Sequence, residues 1–269
     1  DAVQELASSC FNCRQCQTEC PSNVDIPHTM LEIRAQFVNS NGLSRTDWLL
    51  SRFHTYARFA SWFTTLTNRL LRHRIFRRVL QRLLGIAEKR RLPRYARKAF
   101  LSSSIVKKEC SDGRPGDSRP TVVYFVDYFA NHHDPTLGLS FVRILQHHGF
   151  RVYVPRGQTV SGMAMLSVGD TAAAREVAET NLRELGGPAR EGYPILCTEP
   201  SAALCLKQEY PLLMAHADTA TVAEQTMDAG SFLFKLHTEG RLATDFQQMS
   251  LKLVYHTPCH LKAVSGESG

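Results

Sequence analysis

Cys10-Phe-Asn-Cys13-Arg-Gln-Cys16-Gln-Thr-Glu-Cys20-Pro21 places four thiols within eleven residues, spaced C-x2-C-x2-C-x3-C-P. This is the ligand spacing of a 4Fe–4S cluster. Two intervening residues let the backbone curl until three sulfurs face one cubane, while main-chain N–H groups point at its sulfides. A structural zinc site more often shows two C-x2-C pairs separated by a longer insert, so zinc is the weaker reading. A disulfide scaffold is weaker still, because eight cysteines in 269 residues fall far below disulfide-rich density. Cys10, Cys13, Cys16 and Cys20 are therefore read as ligands of a 4Fe–4S cluster, a one-electron carrier.

The fourth cysteine leaves two arrangements open. In two-cluster ferredoxins the last Cys of such a run ligates the other cluster. On that pattern Cys10, Cys13 and Cys16 hold one cubane and Cys20 reaches a second; otherwise Cys20 closes the single cluster. The chain contains no second run and opens at Asp1 without an initiator Met. It is read as a fragment, with a partner run, and so a second cluster, expected upstream.

Composition sets the outer bounds. A chain of 30.3 kDa with 43% hydrophobic residues can bury a sizeable core, and its length suggests two domains. No run of eighteen apolar residues occurs, so no membrane span is expected. No signal peptide is visible, and cysteines grouped as ligands suit a reducing compartment, so a cytoplasmic location is expected.

Beyond the cluster run, Asp25 or a neighbour can cap a helix whose first turn takes Pro27. Met30, Leu31, Phe37 and Val38 recur at helical spacing until Asn41-Gly42. Packed over the cluster, this helix would exclude water. Residues 45–99 differ in kind. Leu49, Phe53, Tyr56, Phe59, Phe63, Leu66 and Leu70 predict one amphipathic helix, and Ile75, Val79, Leu83 and Ile86 a second that Pro93 ends. Over 45–99, fifteen Lys or Arg stand against Asp47 and Glu88, a local net of +13 in a chain of +7. The basic character is therefore confined to one helical hairpin. Three readings stay open for it: a solvated face docking an acidic partner domain, attachment to an anionic membrane surface, and nucleic-acid binding. The last is the weakest, since no nucleic-acid motif accompanies the charge, and it belongs to the alternative function, a zinc-stabilised module whose basic helices contact nucleic acid or a partner protein. If the helices meet lipid, the location becomes peripheral to the inner face of the membrane.

Gly, Pro, Ser and Asp dominate from Ser102 to Pro120, and a linker is placed at 105–119. Cys110 within it is read as unliganded. From Thr121 the pattern becomes α/β. Strands are predicted at Thr121–Val126, Arg151–Val154 and Tyr193–Cys197, with helices at 137–148, 170–185 and 201–209, so a parallel sheet is expected. Functional loops should follow the strands, at 127–135, 156–169 and 198–201. A helical stretch over 218–240 and a strand over Leu251–Tyr255 are expected next, the strand opening a further unit. The fold class expected is α+β and multidomain: a ferredoxin-type segment over 1–44, basic helices over 45–104, and a parallel-sheet α/β domain over 120–269 whose second half is truncated.

In that order, the cluster run, Asp127-x3-Asn131-x3-Pro135, Glu199-Pro-Ser201 and His256-x-Pro-Cys259-His260-Leu261 resemble the cysteine-rich-domain iron–sulfur proteins. These include the iron–sulfur subunits of glycolate oxidase and anaerobic glycerol-3-phosphate dehydrogenase, and the fused forms carrying an FAD-linked oxidase domain like that of D-lactate and D-2-hydroxyglutarate dehydrogenases. The resemblance implies a division of labour. FAD in a partner subunit or domain takes a hydride from a 2-hydroxy acid or glycerol 3-phosphate, and this region relays single electrons to a quinone or another acceptor. It also implies thiols that are absent here. Cysteines usual in the family near Tyr128, at Val160-Ser161-Gly162 and at Ala202 are missing, so residues 121–210 are expected to hold no metal, with Asp127, Asn131 and Glu199 as pocket groups. Cys259 matches the first thiol of a second half-site.

The remaining motifs are weaker. His132-His133-Asp134 and His147-His148 are read as loop or surface histidines, with His132 a pocket candidate, because adjacent side chains point apart. Gly157-x4-Gly162 lacks the Lys-Ser/Thr ending of a phosphate loop. Cys197 and Cys205 are expected simply to pack.

Overall fold

Alternation along one strand organises the sheet. In β1 (Thr121–Phe125) successive side chains take opposite faces. Val122 and Tyr124 enter one buried apolar cluster, Val123 and Phe125 another. A strand apolar on both faces belongs in the middle of a parallel sheet covered on both sides. The computed structural model describes residues 2–22, 24–104, 106, 110 and 118–265. In it, β1 pairs in parallel with β2 (Arg151–Tyr153) and β3 (Ile195–Cys197), and β3 pairs with β4 (Thr226–Asp228), giving the order β2-β1-β3-β4. The order reverses between β1 and β3, and the crevice beyond their C-terminal ends is where such sheets place sites.

The helices α1 (Ala2–Ser9), α2 (Gln15–Thr18), α3 (Ile26–Asn41), α4 (Arg45–Ser51), α5 (Phe53–Trp62), α6 (Thr64–Arg72) and α7 (Arg74–Leu84), and a 3-10 turn (Phe100–Ser102), precede the sheet. The α3 helix begins as the sequence predicts. Asp25 accepts from the His28 N–H at 3.1 Å, Pro27 sits in the first turn, and Gly42 at φ 77 ends the helix.

The basic segment departs from expectation. Two long helices are predicted, and four short ones form, broken at Arg52, Phe63 and His73. The last stops at Leu84, short of Ile86 and Pro93, because Gly85 takes a left-handed backbone (φ 67) and caps it. Residues 85–99 are irregular but tied down. The Asn68 amide exchanges two hydrogen bonds of 2.9 Å with the Tyr95 main chain, and the Ala96 N–H donates to the His132 carbonyl at 2.8 Å. No helix among the described residues is long and apolar enough to cross a membrane.

After β1 come α8 (Tyr128–His132) and α9 (Pro135–His147), and after β2 come α10 (Met163–Ser167) and α11 (Thr171–Arg190). After β3 follow α12 (Pro200–Leu204), a π-helical turn (Cys205–Glu209) and α13 (Tyr210–Leu213). Then come α14 (Thr219–Gln225), β4, α15 (Ala229–Thr238) and α16 (Cys259–Ser265). Two expectations need correction. The stretch 218–240 is not wholly helical, since β4 interrupts it by pairing with β3. Leu251–Tyr255 forms no strand: Leu253 and Val254 are 86% and 99% exposed, with neither a ladder partner nor a face to bury. Most of the linker predicted at 105–119 lies outside the described residues; Val106 and Cys110 within it are buried beside Phe100 in the Val122–Tyr124 core.

Candidate functional site

The cysteine loop is a tight reversal leading from α1 into α2. Asn12 and Arg14 hold left-handed backbone, at φ 52 and 59, which turns the chain back between Cys10 and Cys16. The Asn12 N–H points at the Cys10 sulfur from 3.4 Å, a contact of the kind that tunes cluster sulfurs. Cys13 and Cys16 are exposed, Cys10 and Cys20 half-buried, and none of the four is in a disulfide. As the chain stands, no three Cys, His, Asp or Glu side chains among the described residues are close enough to grip one metal ion. The chemistry of the donor set fits an iron–sulfur cluster: four soft sulfur donors in ligand spacing on one short loop.

Arginines fasten this loop to the rest of the fold. Arg14, inside the motif, is 4% exposed, and its guanidinium donates to Gln208 Oε1 at 2.6 Å and to Glu209 Oε1 at 2.5 Å. Arg34 of α3 donates to the main-chain oxygens of Ala7 at 2.8 Å, Cys10 at 2.5 Å and Ser167, at the end of α10, at 2.5 Å. The first two lie at the C-terminal end of α1, where the Ala7 carbonyl also accepts from the Cys10 N–H at 3.2 Å. The α3 helix passes so close that a Cβ on Gly169 (φ 82) would lie 2.7 Å from the Arg34 carbonyl. Gly169→Ala is therefore expected to cost about 1–3 kcal/mol through left-handed strain and that clash. Chemical denaturation measures it, and an unchanged midpoint would mean the close approach does not matter.

Two contacts bring the loop to the strand ends. Asn12 Nδ2 lies 3.8 Å from Met163 Sδ, and His260 Nε2 donates to the Asn12 carbonyl at 3.0 Å. Met163 also lines a cavity of about 270 Å³ together with Phe53, Asp127, Tyr128, Ser161 and Glu199. There Asp127 accepts from the N–H groups of Tyr128 (2.8 Å) and Ser161 (3.1 Å) and from the Ser161 hydroxyl (2.6 Å). Glu199 accepts from the N–H groups of Phe129 (3.2 Å) and Ala130 (3.0 Å). Asp127 follows β1, Ser161 follows β2 and Glu199 follows β3, so hydrogen bonds join three strand-end loops.

Burial pushes both carboxyls up, and Glu199, with the Asp127 charge adding to burial, rises to about 8. Between the ordinary 4.5 and about 8, the folded protein keeps a Glu199 proton that the unfolded chain has lost. Stability contributed by this group therefore falls as pH rises through that window and levels off above it. Glu199→Gln should flatten this limb of the stability–pH curve, measured as Tm between pH 5 and 9; an identical slope in the variant would show that Glu199 is not its source.

Asn131 and His132 are placed elsewhere. Asn131 Oδ1 accepts from the Leu101 N–H at 3.1 Å, and its amide nitrogen meets His132 Nε2 at 3.2 Å. Neither residue lines the Asp127 cavity. His132 is buried, which holds its pKa down at about 4 with help from His133 and His54. Cys197 and Cys205 sit in the core, where burial pushes their thiols well up. Cys259 opens α16 and is exposed; α16 packs on α12 and touches α2, and Gln208 donates to the Ala263 carbonyl at 3.1 Å. The cysteine loop thus lies between the strand-end cavity and the helix that carries Cys259.

The basic segment is anchored to the same region. Asp170 caps α11 through the Ala173 N–H (3.2 Å) and accepts from Ser51 Oγ (2.5 Å) and the Arg52 guanidinium (2.8 Å), while the Phe53 and Tyr128 rings meet at 3.9 Å. Arg14, Arg34, Glu209, Met163 and Asp170 are the residues that motif reading does not find. Of these only Arg14 carried a signal, as a charge inside the ligand run.

The chain is 26% identical over 249 residues to a subunit of the anaerobic glycerol-3-phosphate dehydrogenase of Escherichia coli, covering 90% of this chain and 60% of that protein. It is 22% identical over 260 residues to a subunit of the fumarate reductase (CoM/CoB) of Methanothermobacter marburgensis, covering 96% and 42%. Over 227 residues it is 23% identical to Escherichia coli D-2-hydroxyglutarate dehydrogenase, covering 79% and 21%. The chain thus spans only part of the length of each of these relatives. It is a homologue of the cysteine-rich-domain iron–sulfur proteins. No family model matches it, and no solved structure matches it significantly. In this homologue the loop after β2 presents Ser161, whose N–H and hydroxyl both donate to Asp127.

Proposed function

We propose that this chain is the iron–sulfur electron-transfer part of a flavin-linked dehydrogenase. FAD in a partner subunit or domain oxidises a 2-hydroxy acid or glycerol 3-phosphate, and this chain passes the electrons singly toward a quinone or another acceptor, on the cytoplasmic side. The observation that carries the reading is the four-thiol loop, which Arg14 pins to the π-helical turn at Glu209 and Arg34 to the end of α10. A 4Fe–4S cluster, when bound, supplies a one-electron couple. Cys10, Cys13 and Cys16 would hold it, with Cys20 either the fourth ligand or a ligand to a second cluster.

The protein's own share is position and potential. The guanidinium of Arg34 holds the Cys10 carbonyl and that of Arg14 is paired with Glu209, so both fix the backbone of the loop whose thiols would hold the cluster. The strand-end cavity is joined by hydrogen bonds rather than thiolates and needs no metal to close. The test is a mixing experiment. A flavoprotein dehydrogenase of this class, reduced anaerobically by its substrate, is added to the cluster-loaded chain. Bleaching of the chain's visible absorption is expected. A chain that takes no electrons from the reduced flavoprotein, yet bleaches with dithionite, would refute the proposed partner.

A further inference from the structure

The surface around the cysteine loop combines an apolar cavity, exposed sulfurs and charge of mostly one sign. A cavity of about 460 Å³ opens beside Cys10, walled by Phe11, Ile33, Phe37, Val38 and Val168, with Asp47 among its polar lining groups. Phe11 is 91% exposed, between Cys10 and the exposed Cys13. A ring left so far in water adds little to folding and gains most when a partner buries it. Both arginines of residues 2–44 are committed to the fold: Arg14 to Gln208 and Glu209, Arg34 to main-chain oxygens that include that of Cys10. The full charges that the described part of 2–44 exposes are therefore acidic: Glu5 on α1, Glu19 beside Cys20, and Glu32 on α3. The helix α16, which touches α2, adds one exposed cation, Lys262. Exposed arginine resumes at Arg45, where the segment of net +13 begins.

We infer that this face docks the flavin-bearing partner, which meets it with Lys and Arg set around an apolar side chain that fills the cavity beside Cys10. The inference rests on the electron-transfer reading above and names the face through which electrons enter. Charge selects the class of partner. Glu5, Glu19 and Asp47 repel lipid phosphates and nucleic acid alike, and attract a basic protein surface. Position selects a redox partner. Cys13 and Cys16 are the exposed thiols of the run, so a cofactor held against this face comes near the cluster ligands with little protein between. An apolar centre inside a charged rim is the build of a protein–protein interface, and a pocket that takes one anchoring side chain is where binding energy concentrates. One loop with parts of two helices is a small patch, on the scale of short-lived redox encounters, which suits a carrier that must release its donor. The +13 over residues 45–99 repels the same basic surface, so the partner is steered to the loop and away from the helices that follow it.

The test reads binding and electron transfer on the same samples. The probes are an FAD-containing glycerol-3-phosphate dehydrogenase and an FAD-containing 2-hydroxy acid dehydrogenase, each reduced anaerobically by its substrate. Affinity for the cluster-loaded chain is measured by titration calorimetry, and electron transfer by stopped-flow bleaching of the visible absorption. With the flavoprotein that bleaches the chain, association should slow as salt rises, and Glu5→Gln and Glu19→Gln should each slow it about threefold at low salt. Phe11→Ser should weaken binding about tenfold. All three positions are exposed, and bleaching of each variant by dithionite confirms its cluster. Arg69→Gln with Arg82→Gln, in the basic segment, should weaken neither reading. Unaltered binding and bleaching in the Glu5, Glu19 and Phe11 variants, or losses confined to the arginine variants, overturn this face and leave the electron-transfer reading standing. A parent chain that dimerises, and that Phe11→Ser turns into a monomer, assigns the cavity to a second copy and overturns the partner. A chain that bleaches with dithionite but with neither flavoprotein removes the electron-transfer reading, and this docking surface with it.

Discussion

Cys10→Ser, Cys13→Ser and Cys16→Ser are each expected to lose most of the iron or to leave a three-iron species. Each thiol supplies one iron with its anchoring sulfur, and a serine hydroxyl is a hard, weakly acidic donor that bonds iron poorly. The exposure of Cys13 and Cys16 makes the comparison clean, since an exposed Cys→Ser change costs little folding energy of its own. Cys259→Ser serves as the control. Cys259 lies on α16 outside the loop and should leave the iron count unchanged. Full iron and an unaltered EPR signal in Cys13→Ser would remove that thiol from the ligand set.

The second large effect is expected from Glu209→Gln. It leaves the Arg14 guanidinium buried, with its partner at 2.5 Å replaced by a neutral amide. Removing one member of a buried ion pair typically costs about 3–5 kcal/mol, because the remaining charge stays desolvated. Arg14 lies between Cys13 and Cys16, so the loss should appear twice: as a lower denaturation midpoint and as a loop that retains iron poorly. Replacing both partners, Arg14→Met with Glu209→Leu, should recover a good part of the stability, since no charge is then stranded. A Glu209→Gln protein within about 1 kcal/mol of the parent would show that the pair does not hold the loop.

Which parts of this could be read from the sequence follows from how local each signal is. The cluster run is a pattern within eleven residues, and Asp25 capping α3 depends on neighbours only three positions away. The buried β1 run declares itself because residues apolar on both faces can sit only inside a sheet. Asp127 and Glu199 were legible as strand-end groups for the same topological reason. The misses are long-range. Arg14 finds Glu209 across 195 positions and Arg34 finds Ser167 across 133, and no periodicity encodes either pairing. Leu251–Tyr255 has the composition of a strand, but strand formation needs a partner that composition cannot supply. In the basic segment the stop is Gly85, whose N–H bonds the Gln81 carbonyl, and the helix ends before Pro93 can act on it.

The central claim is that the Cys10–Cys20 loop carries a redox-active iron–sulfur cluster, and an anaerobic reductive titration followed by visible absorption and EPR tests it most directly. The account predicts a brown protein whose broad absorption bleaches on reduction as a one-electron EPR signal grows in, both lost in Cys13→Ser. A colourless protein that contains zinc and takes up no electrons would contradict it.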